Sequence, residues 1–507
     1  MSEIAEPVPA SAVCAWSHAA EVVIVGYGIA GACAALEARR AGADVLVIER
    51  ASGGGGASAI SCGIFYLGGG TPVQEACGYR DTPDNMYRYL EATIQPHNTD
   101  ALRAFCDGSV EHFHWLEAQG VPFERTSYDG KAMFLMSTEC LLSTGNESVW
   151  PFRDLAEPVP RGHAVAEWGE SAGNAAMKAL FKQCDGAGVR VLYDGRATAL
   201  ITDDAGKVTG VRIRQAGTTL DVQAQRAVVL AAGGFSFNRD MVAAHIQDLS
   251  PTSEPFGIPY NDGAGIVLGL SVGGATEAMH GVVGTASFYP PADLIKGILV
   301  NARGQRFVAE DSYHGRTAAH IMQQPGQLAY LIVDSDIFAH PELEFPRHRL
   351  IDGWETVAEM EAGLELPTGS LTRTMNEYNA DASRRVDHRF HKHPDWLKPL
   401  TAAPYAAFDV SFSRSTYLYL TLGGLRTNSQ GEVLDASGAP LGGLYAVGGT
   451  AAHLPTSGMS YASGLSLATG SFFGRQAGRH AATDGGVRAD SPATSRVGAP
   501  ATLQTAD

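Results

Sequence analysis

The sequence has no apolar run long enough to cross a bilayer, no C-x-x-C or zinc-type cysteine spacing, and too few bases to balance its acids. Each absence removes a class of function. Without a spanning segment, no membrane span is expected. The opening stretch M-S-E-I-A-E-P-V-P-A-S-A-V carries two acids and no basic region, so a secretory signal is not expected and a cytoplasmic location is. The cysteines, at 14, 33, 62, 77, 106, 140 and 184, are odd in number and form no framework, which fits a reducing compartment. Against 54 Asp and Glu stand 37 Lys and Arg, a net charge of −17 that repels nucleic acid and anionic lipid; no nucleic-acid partner is expected.

Apolar residues, by contrast, make up 45% of the 507 residues and charged ones 18%, the balance of a soluble chain with two or three cores. Glycine, at 59 residues, is abundant, and glycine is favoured where backbone must come close to a ligand. A large phosphate-bearing cofactor is therefore expected.

V-V-I-V at 22–25 reads as a buried parallel strand, residues 29–40 as a helix and D-V-L-V-I-E at 44–49 as a second strand, together a βαβ unit. Strands are also expected at 189–193, 197–202, 207–213 and 226–231. From about 281 to 438 charge and proline increase, and amphipathic segments such as W-E-T-V-A-E-M-E-A-G at 354–363 read as helices. G-G-L-Y-A-V-G-G at 442–449 then restores the strand-and-glycine texture, ahead of a closing helix through Phe472, Phe473 and Ala477. The expected fold is α/β: a Rossmann-like cofactor domain, residues 19–280 and 439–482, interrupted by an inserted α+β catalytic domain at 281–438. Residues 1–18 and 483–507 lack apolar periodicity and are expected to be mobile ends.

V-V-I-V-G-Y-G-I-A-G places Gly26, Gly28 and Gly31 at G-x-G-x-x-G spacing between a strand and a helix, and Glu49 ends the next strand. That context identifies a dinucleotide site. The glycines permit the turn, the approach of backbone to a pyrophosphate and close helix packing, while Glu49 accepts from a ribose hydroxyl. The unit suits NAD and FAD alike. Other segments favour FAD: only one fingerprint occurs, the loop G-G-G-G-A-S-A-I-S-C-G at 53–63 brings Ser58 toward the same pyrophosphate, and L-A-A-G-G-F at 230–235 adds a second tight turn. The strand at 442–449 and the helix beginning near Gly464 supply further backbone donors. The expected cofactor set is Gly26, Gly28, Ile29, Ala30, Gly31, Glu49, Ser58, Ala59, Ser61, Gly233, Gly448, Ser463 and Leu465.

V-G-Y-G-I-A-G, A-A-G-G-F-S-F-N at 231–238, N-D-G-A-G-I at 261–266, R-G-Q-R-F-V-A-E at 303–310, T-L-G-G-L at 421–425 and G-G-L-Y-A-V-G-G occur in an order that resembles the FAD-dependent fumarate reductase and 3-ketosteroid dehydrogenase superfamily, over about residues 20–482. The resemblance implies an FAD domain interrupted by a catalytic domain that closes over the flavin ring. Dicarboxylate reductases need Arg side chains to grip carboxylates. At the positions where they carry Arg, His and Arg, this chain has His314, the pair Tyr419 and Leu420, and Tyr461. A fumarate-type site is not expected. Tyr313 in E-D-S-Y-H-G-R, with Tyr461 and Ser463 in S-Y-A-S-G, instead resembles the site of 3-ketosteroid Δ4-(5α)-dehydrogenases.

That resemblance implies a neutral 3-ketosteroid substrate, an electron acceptor of unidentified kind, and dehydrogenation between C4 and C5. It implies that Tyr461, with the Gly464 N–H, binds the C3 carbonyl, that Tyr313 takes the C4 proton and that Ser463 relays it. A 3-ketosteroid Δ1-dehydrogenase is the alternative, and a fumarate-reductase-like flavoprotein or a non-catalytic sensor a further one. The loop at 53–63 holds no His where some relatives attach flavin, so noncovalent FAD is expected. H-R-F-H-K-H at 388–393 lacks a recognisable ligand frame and reads as a solvated connector rather than a metal site. Cys62 reads as a small packed residue, and Met133, Phe134, Leu135 and Met136 suit an apolar pocket or a core equally.

Overall fold

The structure, a computed structural model, describes residues 6–94, 98–133, 135–169, 171–286, 288–289, 291–342 and 347–483. V-V-I-V forms the end of the strand His18–Val25, and Val22, Val23 and Ile24 are fully buried, as a strand covered on both faces requires. It pairs in parallel with Val45–Ile48 on one side and Thr218–Leu230 on the other, with Val25 opposite both Ile48 and Leu230. The helix Ile29–Arg40 makes the crossover.

Around this unit the sheet grows to nine strands. Its main path runs Val8–Pro9, Gly195–Thr202, Val208–Gln215, Thr218–Leu230, His18–Val25, Val45–Ile48, Arg190–Leu192. Thr218–Leu230 forks: its first half is antiparallel to Val208–Gln215, whereas Val228 to Leu230 lie parallel to Leu444 to Ala446. The helix Leu465–Thr483 then lies along Ile29–Arg40. Side chains as large as a methyl at Gly474 or Gly478 would strike the Ala30 and Ala34 carbonyls, so only glycine lets the two helices approach this closely. That approach places the C-terminal helix beside the fingerprint turn.

The inserted domain is a four-stranded antiparallel sheet, Ile298–Asn301, Ala329–Asp334, Tyr405–Asp409, Arg349–Trp354, backed by His314–Met322, Val357–Gly363 and Ser370–Ala382. Its core, with Leu299, Leu331, Met375 and Phe408, is separate from those of the nine-stranded sheet. A third layer, the short sheet Ile64–Tyr66, Gly162–Ala164, Leu141–Leu142 with the helices Pro83–Ile94 and Thr99–Ala118, covers the cofactor domain near the insertion.

Four expectations need correction. Val8–Pro9 is a parallel edge strand with Val8 opposite Ile201, so the residues from 6 onward are not a loose end; residues 1–5 and 484–507 lie outside the described part. The core of the insertion spans Ala286 to Tyr417, and Glu432–Leu434 already pairs with Pro440–Ala446 in the large sheet, so the chain returns before 439. Texture does not reveal which sheet a short strand bonds to. Trp354 ends a strand; the helix starts at Val357, where Thr356 and Glu359 form a capping box. The 388–393 connector is not solvated throughout: Lys392 is 1% exposed, donating to the Gly297 carbonyl at 2.7 Å and facing Glu310 at 3.2 Å, while the neighbouring Asp387 pairs with buried Arg306.

Candidate active site

A cleft runs from the fingerprint turn to the insertion. At its first end Gly26 has φ +106°, and any side chain there would collide with the Ala231 carbonyl. The Gly26 N–H donates to the Ile48 carbonyl at 2.8 Å, tying the turn to the second strand. Glu49 is 9% exposed, and its carboxylate is held on both oxygens, by the N–H of Tyr27 and the N–H of Ala51, each at 2.8 Å. Pinned this way, Glu49 lines the cleft at its fingerprint end.

Helix Ile29–Arg40 opens onto the cleft with no acidic residue in its first turn, so its N-terminal dipole is uncancelled. The Ile29 N–H donates to Ser58 Oγ at 3.2 Å. Gly28, at ordinary φ, would carry a Cβ 3.5 Å from Ser58 Oγ, an ordinary contact, and lines the cleft. Gly233 and Gly448 line the cleft at φ +81° and +60°, as do Ile29, Ala30 and Ser61. Gly31 lies behind it, against the Gly26 carbonyl, and serves helix packing. Two expected residues are set back: Ala59 packs against the first core, and Leu465 is fully buried in it. A pinned carboxylate, a helix N-terminus with a serine and an elongated cleft are the donor set FAD requires. The cofactor is FAD.

At the other end the hydroxyl residues converge. Tyr313 caps helix His314–Met322 of the insertion with φ −56° and ψ 140°, and its OH lies 2.9 Å from Ser463 Oγ in the turn before Leu465–Thr483. The Tyr461 ring centroid is 6.4 Å from that of Tyr313, and its OH lies 2.8 Å from Ser466 Oγ. Gly464 adopts φ +98°, and a Cβ there would stand 2.7 Å from the Tyr66 nitrogen, so this turn requires glycine. Leu418, Leu420 and Val283 add an apolar wall. Burial pushes the Tyr313 phenol well above its usual range and nearby Tyr461 adds to the rise, with the Ser463 hydrogen bond opposing it; burial also raises Tyr461. Both are neutral hydroxyls at pH 7.

Several cleft residues escape the sequence patterns. Ser466 follows the S-Y-A-S-G motif and holds the Tyr461 hydroxyl. His314 and His453 line the cleft 4% and 8% exposed, and burial lowers them to about 3 and about 4, so they are neutral imidazoles. A lone buried histidine has no spacing signal. Among the described residues the cleft's cations are Arg50, paired with Asp262 at 2.6 Å, and Arg196, both beside Glu49 at the fingerprint end. Tyr419, at a position where reductases differ, donates to the Ser236 carbonyl at 2.9 Å instead of serving a ligand. Cys62 and Met133 line the cleft, Leu135 packs in a small cluster and Met136 is exposed, while Phe134 lies outside the described residues.

A 3-oxo-5-alpha-steroid 4-dehydrogenase of Comamonas testosteroni is 30% identical to this chain, over 85% of this chain and 93% of that protein. The crystal structure of a 3-ketosteroid-delta4-(5alpha)-dehydrogenase from Rhodococcus jostii RHA1, in complex with 4-androstene-3,17-dione, is 40% identical with a TM-score of 0.89, covering 94% of this chain and all of that one. A 3-ketosteroid delta1-dehydrogenase from Sterolibacterium denitrificans, 21% identical with a TM-score of 0.67 over 92% of this chain and all of that one, shares the fold. The family described as FAD binding domain matches residues 21–467, and with the pinned Glu49, the open fingerprint helix and these relatives, the chain belongs to that family of flavoprotein oxidoreductases.

Proposed function

We propose that the protein dehydrogenates 5α-3-ketosteroids between C4 and C5. One observation carries the reading: the chamber beyond the phosphate cradle presents hydroxyls, Tyr313, Ser463, Tyr461 and Ser466, and among the described residues no cation. Such a surface suits a neutral ketone and offers a carboxylate no counter-charge. The 40% identity to the Rhodococcus steroid enzyme supports the same choice. FAD, when bound, supplies the acceptor for the C5 hydride at its N5 atom, and it is held without a covalent bond, since no His stands in the 53–63 loop.

The residues divide the remaining work. The ketone acidifies the C4 proton, so a weak base suffices. Tyr461, its OH held 2.8 Å from Ser466 Oγ, donates to the C3 carbonyl and, together with the Gly464 N–H, stabilises charge developing there, a role worth about 10² to 10³ in rate. Tyr313 acts as its minor phenolate form: its own proton leaves by way of Ser463, 2.9 Å away, to water, and its oxygen then takes the C4 proton.

Mixing the FAD-loaded protein anaerobically with 5α-androstane-3,17-dione tests this. Bleaching of the flavin and a product matching an authentic 4-ene-3-one standard are expected. A 1-ene product would move the reading to the Δ1 reaction, and no bleaching would remove it.

A further inference from the structure

The Tyr313–Ser463 hydrogen bond joins the start of helix His314–Met322 to the turn before Leu465–Thr483, and Tyr313 packs in the first core beside Tyr461. A single loop, residues 144–147, touches both. Asn146 Oδ1 accepts the Tyr313 N–H at 2.9 Å, and the Thr144 carbonyl accepts the Ser463 N–H at 3.1 Å. The loop is buried and anchored from behind: the Asn146 N–H donates to the Tyr89 hydroxyl at 2.7 Å, and the Gly145 N–H donates to Glu147 Oε2 at 3.1 Å. Glu147 Oε1 accepts the Tyr66 hydroxyl at 2.7 Å, and the Tyr66 N–H donates to the Gly464 carbonyl at 3.2 Å, which returns the network to the turn carrying Ser463.

Within this ring the backbone contacts survive most substitutions, whereas the link to Tyr313 is a side chain. Tyr313 is an N-cap residue in extended conformation, so its N–H lies outside the hydrogen-bond ladder of its own helix. Asn146 supplies the acceptor that helix geometry does not.

We propose that Asn146 is a positioning residue that sets the hydrogen bond between Tyr313 and Ser463, and with it the aim of Tyr313 at the substrate; the proposal rests on the function read above. Without the acceptor, a buried N–H is left without a partner, and Tyr313 turns to find one. A displacement of about 1 Å at a proton-transferring atom costs on the order of 10² in rate.

The test uses the FAD-loaded Asn146→Ala and Asn146→Asp proteins, the second keeping an acceptor at the same reach. Stopped-flow reduction by 5α-androstane-3,17-dione is expected to slow about 30- to 100-fold in the alanine variant. Its substrate dissociation constant should stay within about threefold and its FAD content unchanged, and Asn146→Asp should recover most of the rate. In a crystal structure of Asn146→Ala the Tyr313 to Ser463 distance should open beyond about 3.5 Å. Should that variant fail to fold, Asn146→Ser, whose hydroxyl falls short of Tyr313, takes its place with the same expectations. An unchanged distance and rate overturn the proposal, and so does a loss of rate that follows FAD content alike in the alanine and aspartate variants. If the unaltered protein is not reduced by the steroid, the functional reading fails, and the distance in the variant still decides whether Asn146 positions Tyr313.

Discussion

Tyr313→Phe removes one oxygen from the centre of the hydroxyl set and leaves the ring in its packing against His314 and Tyr461. The folding cost is small. The lost hydrogen bond to Ser463 is worth about 1 kcal/mol net, so the melting temperature should fall by no more than about 2 °C. The rate should fall much further: a positioned proton acceptor contributes about 10² to 10⁴, which is roughly 2.7 to 5.5 kcal/mol of barrier. Because burial raises the Tyr313 phenol, the ionised fraction at neutral pH is small and grows up to about tenfold per pH unit toward alkaline pH. Anaerobic single-turnover flavin reduction, followed from pH 7 to 10, should therefore climb in the parent protein and stay flat and slow in the variant. A limiting rate within about tenfold of the parent, or the same pH slope in both, would refute the assignment of Tyr313 as proton acceptor.

Gly26→Ala, which drives a methyl into the Ala231 carbonyl at positive φ, should lower expression and stability, whereas Gly28→Val should fold and lose FAD; absorbance ratios and melting curves separate the two, and a yellow Gly28→Val protein would remove Gly28 from the site. Acid precipitation should release FAD into the supernatant, and flavin retained in the pellet would exclude noncovalent binding. Fumarate should not reoxidise the reduced flavin, nor succinate reduce it, because the chamber's hydroxyl end offers no cation among the described residues; turnover above background would count against the steroid reading. Stability should fall as pH drops from 7 to 5: buried His163, His314 and His453 titrate in the fold at about 4, 3 and 4 against about 6.5 unfolded. Protons then bind the unfolded chain first, at a cost of about 2 kcal/mol per site at pH 5, and a melting temperature that is flat across this range would contradict their burial as neutral groups.

The βαβ unit, the fingerprint glycines and Glu49 were legible in the chain because each depends on local physics. A doubly covered strand must be apolar at every position, a turn at φ +106° needs glycine, and Glu49 follows directly on the next strand, Val45–Ile48. Tyr313, Tyr461 and Ser463 were legible only through motif resemblance, since an isolated tyrosine carries no periodic signal. His314 was read only as the residue standing where reductases carry an Arg, and Ser466, His453 and Asn146 were not legible at all. The contacts of Ser466 and Asn146 are with partners 5 and 167 residues away, Tyr461 and Tyr313. The same distinction explains the misplaced return of the insertion, where Glu432–Leu434 belongs to whichever strand completes its hydrogen bonds. Sequence by itself determined the cofactor fold, because strand, helix and turn preferences act over a few residues. Tertiary structure alone decided the hydrogen bonds of the chamber, because Tyr313 and Ser463, far apart in sequence, meet only once the chain has folded around the loop that holds them both.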